Sequence, residues 1–274
     1  MSGDEARDAL GVRHPRAADD ARIVSLVPSI TELLFDLGLA AQVVGRTTFC
    51  VHPEKALAGV ARVGGTKKPR IDTLRALAPS HVIVNVDENR KEDVARIAEF
   101  VPHVIVTHPL TPDDNLGLYA LLGAIFSREK QAERLRESFR AARDALVDAA
   151  SGWPSRRVLY LIWRDPWMTV SRDTYISQTL ALANWETIGD DAKVRYPEVR
   201  ARSGLLADTD LVLFSSEPFP FKQRHVDEFR ALTGNDDTRF EFVDGEMTSW
   251  YGSRAITGLC YLHEFAGRVS NRSL

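Results

Sequence analysis

Cysteine is almost absent. Cys50 and Cys260 are the only two in 274 residues, which leaves room for one bridge but not for a disulfide framework. Long apolar runs are missing too: no stretch approaches the roughly 18 residues of a membrane-spanning helix. Residues 1–21 carry four Asp, one Glu and three Arg, without the apolar core of about 7–15 residues that a secretory signal needs. Taken as written, the chain is expected to stay in the cytoplasm, and to be periplasmic only if the true start adds a signal. Charge of one sign is also lacking. A net charge of −3 offers no nucleic-acid surface.

Catalytic signatures are equally scarce. No Gly-x-Gly-x-x-Gly follows the first apolar run, and GGTKKPR lacks the spacing of a phosphate loop. There is no Gly-x-Ser-x-Gly elbow. Cys50 and His52 stand too close in sequence to pair readily as nucleophile and base. His52, His108, Asp87 and Glu217 have no local metal-ligand spacing such as HExxH. No catalytic residue, metal site or cofactor is assigned, and an enzyme on this scaffold is the least supported reading.

What is present is the pattern of a globular α/β protein, 44% hydrophobic and 27% charged. Residues 128–150 (REKQAERLRESFRAARDALVDAA) contain no Gly or Pro. Ala132, Leu135, Phe139, Ala142, Leu146 and Ala149 form an apolar stripe at helical spacing. Ser127 can cap this helix, with Gly152 and Pro154 beyond its end. At 1.5 Å per residue it spans roughly 35 Å. It reads as a strut between two halves, or equally as a surface helix of one large domain.

The first half reads strand (22–27), a turn at Pro28, then a helix with Ser29 and Glu32 as a capping box and Gly38 as its C-cap. A strand at 43–45 follows, then a helix at 72–78, a strand at 81–86, a helix at 90–100, a strand at 103–107 and a helix at 113–126. The second half reads strand 157–163, helix 175–183, strand 211–215, helix 225–232, strand 240–243 and helix 253–269. Cys260 falls in the apolar pattern of that last helix and is expected to be buried. Leu77–Val84 aligns with Leu206–Leu213, and each segment is followed at the same offset by an acid, Glu88 or Glu217.

Alternating strands and helices predict parallel sheets, whose ligands bind beyond the C-terminal strand ends. Segments 46–53, 64–70, 85–89, 163–168, 215–221 and 249–254 are therefore the site candidates. They hold Phe49, Trp163, Trp167, Phe219, Phe221, Trp250 and Tyr251, which suit a large flat or greasy ligand or, read the other way, fill the cores of the lobes. Lys67, Lys68 and Arg70 beside two glycines can hold an anion or simply form a solvated loop.

The series RIVSLVPSITELLFDLGL, VVGRTTFCVHP, VGGTKKPRIDTLRALAPSHVIV and NVDENRKEDV resembles the class III substrate-binding proteins of ABC importers. These are the helical-backbone metal receptors for cobalamin, haem and ferric siderophores. YLIWRDPWMTV and LFSSEPFPFK are similar to their second lobe, so the resemblance spans about residues 22–269. It implies two Rossmann-like α/β lobes with a ligand cleft between them, joined by one long rigid helix. The lobes would be 22–112 and 153–274, with bridging helices at 113–152 and a disordered or extended segment at 1–21. It implies a monomer that binds a metal-chelate ligand and docks on a permease dimer.

The resemblance implies ligand contacts at Phe49, His52, Trp250, Tyr251 and Arg254; with Thr66, Lys67, Asn85, Trp163, Arg164 and Trp167 from the strand-end loops, these make up the expected ligand set. The permease-docking acids are Glu88, with Glu92 as competitor, and Glu217. The chain departs from the cobalamin-binding pattern at Thr66 and Val86, near where those binders can place tryptophans. A cytoplasmic relative that stores, delivers or senses such a ligand is the alternative function.

Overall fold

Short β-branched and aliphatic runs flanked by helices make two separate parallel sheets. The computed structural model describes residues 6–189, 194–201, 204–234 and 238–271. The chain divides into two compact units. The first comprises residues 1–109, 113–138 and 251–254; the second comprises 110–112, 139–250 and 255–274.

The first unit opens with a hairpin, β1 (Ala6–Arg7) and β2 (Arg13–His14). Residues 6–14 are therefore folded rather than extended or disordered as expected; residues 1–5 lie outside the described residues. Asp8 builds the hairpin, its carboxylate accepting from the N–H groups of Leu10 and Val12. It also docks the hairpin, accepting from Val106 N–H at 3.1 Å. There follow β3 (Ile23–Ser25), α1 (Pro28–Asp36), β4 (Val43–Arg46), β5 (Ala61–Arg62), α2 (Ile71–Ala76), β6 (His81–Asn85), α3 (Lys91–Ala98), β7 (His103–Thr107) and α4 (Asp114–Ile125). The strand order is β5-β4-β3-β6-β7, all parallel. Val24, Leu26, Val82, Val84, Ile97 and Val106 form its core.

The expected capping box at Ser29 and Glu32 is not there. Pro28 is the first residue of α1, and Val27 caps it without a side-chain bond. Proline suits that place, since its φ is already helical and its missing N–H would have no partner there. Glu32 points elsewhere, into a two-bond pair with Arg254 at 2.7 Å each. Gly38, at φ +78°, does end the helix in the left-handed region as expected.

α5 (Glu129–Ala150) runs unbroken, about 33 Å at 1.5 Å per residue. Its residues up to Ser138 belong to the first unit and those from Phe139 to the second. Ala132, Phe139 and Leu146, seven residues apart, are the buried spine of the expected stripe, with Ala150 at its end; Leu135, Ala142 and Ala149 are half-buried.

The second unit comprises β8 (Arg156–Leu161), α6 (Tyr175–Ala181), β9 (Trp185–Thr187), β10 (Leu211–Ser215), α7 (Gln223–Thr233), β11 (Arg239–Val243), α8 (Gly245–Ser249) and α9 (Arg254–Asn271). Its parallel sheet has the order β11-β10-β8-β9. Leu159, Leu161, Val212, Phe214 and Phe229 fill its core. Cys260, expected inside, is exposed on α9, whereas Cys50 is the buried thiol. Among the described residues no helix is long and apolar enough to cross a membrane.

In each unit the first strand of the parallel sheet lies inside that sheet, and the chain proceeds to one side before crossing to the other. β3 is flanked by β4 and β6, and β8 by β9 and β10. Each unit therefore has a topological switch point, beyond the C-terminal ends of β3 and β6 and of β8 and β10.

Candidate functional site

In the first unit the rim begins at Arg46, whose buried guanidinium donates to the carbonyls of Thr47 (3.2 Å), Cys50 (2.9 Å) and Leu57 (3.4 Å). It braces the loop from within. The Cys50 thiol is held by the Thr31 and Thr47 hydroxyls at 3.0 and 3.1 Å, and burial pushes its pKa up. A thiol in this state is structural rather than nucleophilic. Over this base Phe49 stands 60% exposed, with Val51, two positions on, also exposed. Its ring edge lies against Gly65, where an added Cβ would sit 3.2 Å from it. His52 is half-buried in the same loop.

The neighbouring loops are stapled by two asparagines. Asn85 was expected to face ligand, but it is buried. Its side chain accepts from Asp87 N–H at 2.8 Å, and its own N–H donates to Asn89 Oδ1 at 2.8 Å. Asn89 in turn donates to the carbonyls of Leu26 (3.3 Å) and Thr66 (3.0 Å). Lys67 reaches across from its exposed turn to the Asp87 carbonyl. Thr66 is half-buried, Val86 is exposed, and His108 lies 3.5 Å from the Asp87 carboxylate. Arg46 and Asn89 escape a sequence reading because their work is done on backbone carbonyls, which carry no residue signature.

Tyr251 and Arg254 were expected to lie against ligand, but both are already engaged. The segment 251–254 is bound into the first unit residue by residue. Tyr251 is buried and its hydroxyl donates to Glu88 at 2.6 Å; burial, then the Glu88 charge, holds the phenol pKa well above its usual value. Gly252 N–H donates to Asn115 at 2.6 Å, and Tyr119 donates to the Gly252 carbonyl at 2.8 Å. The Arg254 guanidinium is spent on Glu32.

In the second unit, Trp163 and Met168 pair across a tight hairpin. Trp163 is 40% exposed, edge-on to Phe219 at 5.7 Å. Trp167 was expected at the site, yet it is buried, stacked on Phe221 at 5.8 Å and edge-on to Phe229 at 4.9 Å. Arg164 is likewise committed, forking onto Glu228 at 2.9 and 2.6 Å and onto Asp165 at 2.5 Å. Trp250 is half-buried, and its indole N–H donates to Glu217 Oε1 at 2.6 Å.

The two acids expected to dock on a permease do not stand free. Glu88 receives Tyr251, and Glu217 receives Trp250 together with the Ser249 hydroxyl at 3.1 Å. Burial pushes the Glu217 pKa up, and these two donors pull it partly back. Glu92, in the first turn of α3, is exposed. Among the described residues no group of three or more His, Cys, Asp or Glu is placed to hold a metal ion.

The exposed apolar residues of the rims are therefore Phe49, Val51 and Val86 in one unit and Trp163 in the other, each in or next to a loop that follows a strand. The comparisons agree with this architecture. The vitamin B12-binding protein of Pectobacterium carotovorum subsp. carotovorum (strain PC1) is 23% identical over 199 residues, 72% of this chain and 72% of that protein. Its counterpart from Yersinia pestis (strain Pestoides F) is 23% identical over 211 residues, 77% of this chain and 73% of that one. Among solved structures, the periplasmic vitamin B12 binding protein BtuF of Vibrio cholerae matches with a TM-score of 0.77 at 18% identity, covering 92% of this chain and 98% of that one. The periplasmic heme-binding protein RhuT from Roseiflexus sp. RS-1 matches at 0.76 and 23%, covering 90% and 99%. These relatives are binding proteins by name, and the solved ones share the fold. A family model described as "Periplasmic binding protein" matches residues 23–229, most of the chain, which therefore belongs to the periplasmic binding protein family.

Proposed function

We propose that the chain binds one flat metal-chelate ligand, a corrinoid or haem, without transforming it, and delivers it to an ABC importer. The observation that carries this reading is the exposure of Phe49, Val51, Val86 and Trp163 at the strand ends of both sheets. Large apolar side chains left open beside a topological switch point are suited to a ligand with a broad apolar face. The names of the relatives narrow the ligand to this class. Phe49 and Val51 offer apolar contact at the rim of the first unit in this reading, and Trp163 offers it at the rim of the second, each unit taken by itself. His52, Thr66 and Lys67 supply the polar contacts at the first rim. Asn85, Arg164, Trp167 and Arg254 support the loops instead of touching ligand. Glu92, exposed in the first turn of α3, is the acid we assign in the first unit for docking on a permease.

Calorimetric titration of the ligand-free protein with cyanocobalamin, and separately with haem, tests the reading. One-to-one binding with a submicromolar Kd to either is expected; a ferric siderophore as the sole ligand would move the protein to the iron-chelate branch. Absence of heat with all three would end the proposal. Delivery is tested apart from binding, by locating the product of the full gene in fractionated cells and asking whether it co-purifies with a permease. Recovery in the cytoplasm alone would refute the delivery half.

A further inference from the structure

Glu88 and Glu217 sit at equal offsets in the two aligned segments, and each accepts a hydrogen bond from an aromatic side chain. The donors are consecutive residues, Tyr251 for Glu88 and Trp250 for Glu217, each 2.6 Å from its acid. The bonding of Glu217 is the more elaborate. Its backbone is gripped by Ser215, whose hydroxyl donates to the Glu217 carbonyl at 2.6 Å and accepts from its N–H at 3.4 Å. Ser215 in turn accepts from the buried Tyr160 hydroxyl at 3.0 Å, and Tyr160 also meets Thr248 of α8 at 2.7 Å. Beneath the loop, Gly245 leaves no room: a Cβ there would lie 2.6 Å from Glu217 Cγ and 2.9 Å from its nitrogen. Three elements, β8, β10 and α8, therefore converge on the backbone that carries this one carboxylate. An acid kept for an outside partner needs a freely reaching side chain, and this one is built in.

We infer that Glu217 is a positioning residue that fixes the Trp250 indole at the strand-end rim of the second unit, with Glu88 doing the same for Tyr251. The inference rests on the ligand-binding reading for its consequence, since a fixed indole plane sets which flat ligand the rim accepts. The geometry of the clamp is independent of that reading. What the clamp needs from Glu217 is an acceptor oxygen and not a negative charge, so glutamine should replace it and alanine should not. An acid serving as a docking charge would respond to both substitutions alike.

The experiment compares Glu217→Ala, Glu217→Gln and Trp250→Phe. In the ligand-free protein the Trp250 indole N–H resonance, assigned by its loss in Trp250→Phe, is expected to move and to exchange faster in Glu217→Ala. It is expected to return close to its wild-type position in Glu217→Gln. Cyanocobalamin or haem affinity, whichever the wild type binds, is expected to fall about tenfold in Glu217→Ala and Trp250→Phe, the effect of one hydrogen bond lost. It is expected to stay within about threefold in Glu217→Gln, where the acceptor is retained. An unchanged indole signal in Glu217→Ala, or a glutamine variant as impaired as the alanine one, would overturn the inference. A wild type that binds neither probe would sink the ligand reading, and the indole measurement would still decide the clamp.

Discussion

Trp163 and Trp167 stand four positions apart, and one hairpin turns them to opposite uses. Trp167 stacks in the core of the second unit while Trp163 stands open at its rim. The two look alike in sequence, because a tight turn of this kind sets neither helical nor strand periodicity on its flanks. The same difficulty applies to the charged residues. Arg164 finds Glu228 64 positions on, and Arg254 finds Glu32 222 positions back, so no local pattern shows that either guanidinium is spent. The structure separates the two tryptophans by consequence. Trp167→Ala opens a large cavity and is expected to cost about 3–5 kcal/mol of stability, read by urea unfolding. Trp163→Ala is expected to change stability by under about 1 kcal/mol while weakening ligand binding. Equal destabilisation by the two would contradict their placement.

At the scale of elements, periodicity was a good guide wherever the run was long enough to show it. The α5 stripe and the strands β7 and β10 are found where the pattern puts them, the strands to the residue. β5, β9 and α8 contain two, three and five residues, too few for a period to show, and their form is set by the sheet edge or loop they join. One junction of elements has a pH signature. His81 and His103 open β6 and β7 in register, their rings stacked at 4.7 Å, with the edge of Phe126 against His81. His14 of the docked hairpin also bears on His81, and its own Nε2 faces the Asp8 carboxylate at 3.1 Å. Burial first, then the neighbouring His103 and His14 charges, lowers the His81 pKa from 6.5 to about 4.

The unfolded chain therefore takes up this proton as pH falls through 6.5, while the folded protein refuses it until about 4. Stability contributed by the neutral ring is complete above the upper value. It is lost on acidification through that window and then levels off, by on the order of 3 kcal/mol at most. His81→Asn keeps a polar group beside Ser80 but cannot titrate there. Its urea midpoint is expected to fall less steeply between pH 6.5 and 4 than that of the wild type. Parallel slopes would remove His81 from the account of acid sensitivity.

On the scale of the whole molecule, the two units repeat one plan. Each places the first strand of its parallel sheet inside that sheet, and β6 and β10, the strands of the aligned segments, occupy the matching place beside it. Each then turns an acid onto an aromatic from the 250–251 pair. A molecule made of two such units has two cores, so its unfolding can proceed in two steps, and a ligand that binds only the native form must raise the step of every unit that helps to hold it. Each unit carries its own exposed aromatic at a strand-end rim, Phe49 in the first and Trp163 in the second. With free cyanocobalamin or haem at about one hundred times Kd, stabilisation of about 2.7 kcal/mol is expected, a rise of roughly 5–10 °C for a chain of this size. Calorimetric scans read the shift, and hydrogen exchange reads its location. Protection is expected in loops 47–53 and 64–67 and around Trp163. Phe49→Ala should shrink the shift if the first unit's rim binds, and Trp163→Ala should do so if the second's does. Protection at neither rim, with both substitutions leaving the shift unchanged, would remove these exposed aromatics from the binding surface.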